Sequence, residues 1–127
     1  MDTKKLRKLN EEARRQAEIE RIDAAERERL ALEQNADEII EQLPAIVTKA
    51  AASGCNQYRV LQLRDTEMKS RPREAFGIFG RRHYSPNCLP NYARRIYDYC
   101  KAEGLNPRLE DDTIHPPAFE FYLNISW

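Results

Sequence analysis

Apolar positions are spread unevenly along this chain, and their spacing changes character twice. Through residues 1–35 the bulky apolar side chains are Met1, Leu6, Leu9, Ile19, Ile22, Leu30 and Leu32, set among Ala, Glu, Arg, Lys and Gln without Gly or Pro. Those are strong helix formers. Glu11–Arg15 and Asp23–Arg27 stand i,i+4, and Glu18–Arg21 and Glu26–Arg29 stand i,i+3, each with the acid first. About 30 helical residues would rise about 45 Å, so this segment is expected to extend past a small domain as a charged helical arm. From Ile22 a heptad can be written, with Ile22, Arg29, Ala36, Leu43 and Ala50 in one seam position and Ala25, Leu32, Ile39 and Ile46 in the other. Upstream, Lys8, Glu11, Arg15 and Glu18 would fill that seam, so a sustained coiled coil is the weaker alternative. The pattern predicts two helices, about 3–34 and 36–53, meeting at a bend. Asn35 would cap the second helix with Glu38 as its capping-box partner, and Pro44 would kink it or lie near a helix start.

Beyond Ser53-Gly54 the period shifts. Gln57–Leu63 reads as a strand. Residues 64–88 are rich in Arg, Pro, Gly and Ser, with a short strand predicted at 75–79. Pro90 opens a helix whose Ala93, Ile96, Tyr97 and Cys100 face a core, while Arg94, Arg95, Asp98 and Lys101 face out. Gly104 ends it, and Asn106-Pro107 blocks continuation. Residues 110–117 read as turn chemistry, and a short extra strand is allowed near Leu109. In the last segment Phe119, Phe121, Leu123, Ile125 and Trp127 share one face, against Glu120, Tyr122, Asn124 and Ser126 on the other. Period two marks a strand with one face on a core and one toward solvent.

The expected fold is therefore α+β. A long charged N-terminal helix, residues 1–35, precedes a compact domain, residues 36–127, of order helix–strand–helix–strand with its helices on one face of a short sheet. The order, ending in Ile125-Ser126-Trp127, resembles in outline many small bacterial and phage proteins, a likeness that implies no function. Length agrees, since 127 residues make one domain's worth of chain. No apolar run is long enough to span a membrane, and the N-terminus mixes charges where a secretory leader would be apolar. A soluble, cytoplasmic protein is expected, with Cys55, Cys88 and Cys100 as free thiols.

Charge changes the picture. The net charge is zero, yet residues 69–95 hold Lys69, Arg71, Arg73, Arg81, Arg82, Arg94 and Arg95 against Glu74 alone. Phe76, Phe79, Tyr84 and Tyr92 are interleaved with them. Arginines alternating with aromatic rings suit an anion or single-stranded nucleic acid. Arg71, Arg73, Arg81, Arg82, Arg94, Arg95 and Tyr84 are the candidates for that role. The plainer alternative is a solvated loop whose rings enter the core and whose arginines pair with Glu110, Asp111 and Asp112.

His83, Cys88, Cys100 and His115 are zinc-type ligands, but their spacing lacks the close pairs that preset a zinc site. Cys88 near His83, and Glu110 to Asp112 near His115, meet no catalytic geometry recognisable from spacing. No cofactor or metal is implied. The leading expectation is a non-enzymatic interaction protein, an adaptor, assembly component or inhibitor. It would dock another protein or its own copy through Ile22, Leu30 and Leu32 of the arm. A small nucleic-acid-binding accessory protein using residues 69–95 is the alternative.

Overall fold

The computed structural model describes residues 2–75, 83–111 and 120–127. The chain divides into two units, Met1–Asn35 and Ala36–Trp127. Helix α1 covers Thr3–Ala52. Asp2 caps its start, its Oδ1 accepting from the backbone N–H of Lys4 at 3.1 Å and of Lys5 at 3.4 Å. In the first unit the residues from Asp2 to Ala31 are all exposed. Both i,i+3 pairs form there, Arg21 to Glu18 at 3.2 Å and Arg29 to Glu26. The i,i+4 pairs do not; Arg27 donates instead to the backbone carbonyl of Asp23.

The two helices expected on either side of Asn35 are one. Asn35 is helical and exposed, and Pro44 lies inside the same element. An asparagine costs a helix only about 0.7 kcal/mol relative to alanine, too little to break it. Pro44 is exposed and lacks the N–H that would bond the Ile40 carbonyl, a local cost to the helix. Within the second unit, Ala36 and Leu43 are fully buried, and Ile39, Ile40, Ile46, Val47 and Ala50 are half-buried. That stripe repeats every three to four residues, and burying it holds the helix together through the proline.

Both helices end alike. Gly54 (φ +88°) and Gly104 (φ +81°) take left-handed conformations that glycine adopts without a Cβ clash. Cys55 N donates to Ala50 O at 3.0 Å, and Leu105 N to Cys100 O at 2.9 Å, closing the same capping motif twice. The second helix, α2, spans Asn91–Ala102.

The strands are β1 (Gln57–Arg64), β2 (Glu74–Ala75), β3 (His83–Tyr84), β4 (Asn106–Asp111) and β5 (Glu120–Ser126). They form one antiparallel sheet in the order β1-β5-β4-β3-β2, an α+β arrangement. Leu123 faces Leu61 of β1 and Leu109 of β4, and Phe121 faces Leu63 and Asp111. The face carrying Leu63, Tyr84, Leu109, Phe121, Leu123 and Ile125 is buried, together with Ala93, Ile96 and Cys100 of α2. One extra residue, Val60, bulges β1 between Arg59 and Leu61.

Four details depart from the sequence reading. Residues 110 and 111 extend β4 rather than starting a turn, and Pro107 is tolerated because β3 pairs only with Leu109 and Glu110. Tyr92 is buried on α2, whereas Tyr97 is half-buried. Trp127 lies past the end of β5 and is exposed, so it adds no core anchor. Tyr122, on the polar face, is nevertheless buried, with the Arg59 guanidinium 3.7 Å from its ring centroid. Of the strand predicted at 75–79, Ala75 belongs to β2 and the rest lies outside the described residues, as does Phe119. No described helix is long and apolar enough to cross a membrane.

Leu123→Ala should cost about 2–5 kcal/mol in denaturant unfolding, whereas deleting residues 1–30 should keep a cooperative transition. Burial pushes the Cys100 thiol up to about 11, and burial with the Glu67 carboxylate beside it pushes the Tyr92 phenol up to about 12. Both folded-state values lie above the ordinary 9.0 and 10.0, so their contribution is complete below pH 9 and is lost as pH rises through 11 to 12. The thermal midpoint should accordingly fall above pH 9. At pH 8 a thiol reagent should label exposed Cys55 readily, and buried Cys88 and Cys100 only on unfolding.

Candidate functional site

The arginines adjacent in sequence have different fates in the fold. Arg94 Nε donates to Asp98 Oδ1 at 3.0 Å and its NH1 to Asn87 Oδ1 at 3.2 Å. Its guanidinium carbon lies 5.6 Å from the Tyr97 ring centroid. Arg95 is ion-paired with Asp37 of α1. Each of these charges has an acid in contact, which lowers its availability to a distant anion. Tyr84 belongs to the core: its ring meets Phe121 edge-on at 5.0 Å, and its hydroxyl donates to the Asp111 carboxylate. It is 8% exposed, which leaves no face for a base to stack on. Arg81 and Arg82 lie outside the described residues.

Arg71 and Arg73 remain. Both are exposed, and among the described residues neither makes an ion pair. They line a cleft of about 240 Å³ with Ser70, Ser85, Asn87 and Cys88. Two backbone hydrogen bonds build its walls, Lys69 N to Cys88 O at 2.8 Å and Ser85 N to Arg73 O at 2.9 Å. Ser85 also caps the 3-10 turn Pro86–Cys88, its Oγ accepting from Asn87 N at 3.4 Å. Beneath lies Cys88, 2% exposed, its Sγ 3.3 Å from Ser85 O. Burial pushes its thiol above the ordinary range, so the floor is neutral near pH 7. No carboxylate is among the described lining residues. Ser70, Ser85 and Asn87 carry a signal legible only in part beforehand, since Ser85-Pro86-Asn87 reads as a turn but gives no hint of which loop it faces.

The arm offers a different surface. Leu6, Leu9, Ile19, Ile22 and Leu30 are 47–56% exposed, and among the described residues they account for five of the seven large exposed hydrophobic side chains. Leu32 is half-buried. Counting charges, residues 2–15 hold six basic and three acidic side chains, and residues 16–35 hold three basic and six acidic. The arm thus runs from net +3 to net −3.

The polar sheet face is occupied by its own contacts. Gln62 Nε2 donates to Glu120 Oε2 at 3.1 Å, and the Tyr122 hydroxyl donates to the same oxygen at 3.3 Å. His83, half-buried on β3, pairs in register with Glu110. Among the described residues no three His, Cys, Asp or Glu side chains gather as a metal site, and His115 lies outside them. No protein-family model matches the chain, and neither does any curated protein or solved structure.

Proposed function

We propose that this is a non-enzymatic interaction protein of the cytoplasm that docks a protein partner, including a second copy of itself, through the N-terminal part of α1. The observation that carries the reading is the uninterrupted exposure from Asp2 to Ala31 with five large apolar side chains about half in water. A helix of that length gains little from propensity alone, and most helices in proteins are stabilised by packing one face. Surface ion pairs such as Arg21–Glu18 contribute at most a few tenths of a kcal/mol each. A complementary surface would supply what the arm lacks. Its charge gradient favours an antiparallel second copy, which sets the basic segment 2–15 against the acidic segment 16–35. The apolar side chains are too scattered for a tight zipper, so a weak, salt-sensitive association fits best.

Sedimentation of the full chain at low salt should give a mass above 14.9 kDa that falls toward it as salt rises. Replacing Ile22 and Leu30 with Ser should lower that association without changing the unfolding midpoint of the second unit. A wild-type protein that stays monomeric at every concentration, and whose arm retains nothing from a host lysate, would rule the reading out.

A further inference from the structure

The cleft at Ser70–Arg73 and Ser85–Cys88 is built for an anion independently of anything the arm does. We propose that it binds a small phosphate monoester, gripped between the guanidinium groups of Arg71 and Arg73 with neutral donors from Ser70, Ser85 and Asn87. Local charge is the first argument. Arg94 and Arg95 are each committed to an aspartate, while Arg71 and Arg73 have no such partner among the described residues. Two guanidinium groups with no ion pair among the described residues share one cleft, no described carboxylate lines it, and each offers a fork that matches a phosphoryl group in two-point hydrogen bonding.

Stiffness is the second argument. Arg71 and Arg73 flank Pro72, which holds its own φ near −65° and biases Arg71 to extended backbone. In extended chain, positions i and i+2 share a side, and both arginines do line the one cleft. The carbonyl of Arg73 is fixed by Ser85 N, and the turn that carries Asn87 is capped by Ser85. Little ordering of backbone is therefore left to be done when a ligand arrives.

Charge and size then select the ligand. A phosphate monoester carries about −1.5 to −2 near neutral pH, which two arginines balance. A backbone diester carries a single negative charge. The volume, about 240 Å³, holds a phosphoryl group with a small substituent. Among the described residues no aromatic side chain lines the cleft. What the site reads is the phosphoryl group itself.

Calorimetric titration of the full chain with inorganic phosphate and with glycerol 3-phosphate tests this, with glycerol as the uncharged control. Both phosphates should bind and compete with each other, and glycerol should not bind. Arg71→Gln and Arg73→Gln should each weaken binding about tenfold or more, the range expected for losing a charge-assisted hydrogen bond. Arg14→Gln, the same charge change on the arm, should leave it unaltered. Thermal unfolding of the two cleft variants should match wild type, since both arginines are exposed and make no ion pair among the described residues. Wild-type affinity in Arg71→Gln and Arg73→Gln would overturn the proposal. So would an oligonucleotide lacking terminal phosphates that competes as well as glycerol 3-phosphate, because the cleft would then be reading a nucleic-acid backbone.

Discussion

Leu123 is the residue through which the second unit is tied together. It is fully buried at the centre of β5, with Leu61 of β1 on one side and Leu109 of β4 on the other. Segments far apart in the chain, 57–64 and 106–111, are thereby joined through a strand that follows both. Everything further out hangs on that junction. β3 pairs with β4, and the Tyr84 side chain of β3 is secured by Asp111 of β4 and Phe121 of β5. Ser85, the next residue, is where the arginine cleft begins. A polar surface feature thus inherits its geometry from an apolar contact two strands away.

Zero net charge conceals a division of labour among the arginines. Exposed pairs such as Arg94–Asp98 are worth about 0–1 kcal/mol each, so their effect on stability is minor. What they change is the field outside the protein. By drawing Arg94 and Arg95 into contact with acids, the fold leaves a much smaller basic feature than the count over residues 69–95 implies. Arg71 and Arg73, which make no ion pair among the described residues, are part of what is left.

The sequence showed more of the fold than of the site. Period two in 120–126, Pro90 and Gly104 around α2, and Gly54 after α1 all act locally, so each could be read from neighbouring residues alone. Pro44 and Asn35 misled because their cost is local while the packing of Ala36 and Leu43 that overrides it is tertiary. A short strand near Leu109 was legible and is β4, but its full extent was masked by Pro107 and the acids at 110 and 111, whose place in the sheet depends on the short reach of β3. The division of the arginines was illegible for the same reason: Asp37, the partner of Arg95, lies 58 residues away in the chain. Tyr84 looked like a stacking ring because an aromatic between arginines reads the same in sequence whether it faces solvent or a core.

The bulge at Val60 bears on what the open side of the sheet can attract. β1 ends the strand order, so beyond β5 it presents backbone donors and acceptors that no other described strand takes up. A straight border of that kind is a template on which other chains can add strands and grow into aggregates. The extra residue interrupts the regular spacing of those groups and increases the local twist, while Arg59 and Arg64 place positive charge along the same strand. An incoming strand would lose register at Val60 and meet like charge if it came from a second copy. The irregularity that looks like a flaw in the pairing therefore works as a guard against polymerisation.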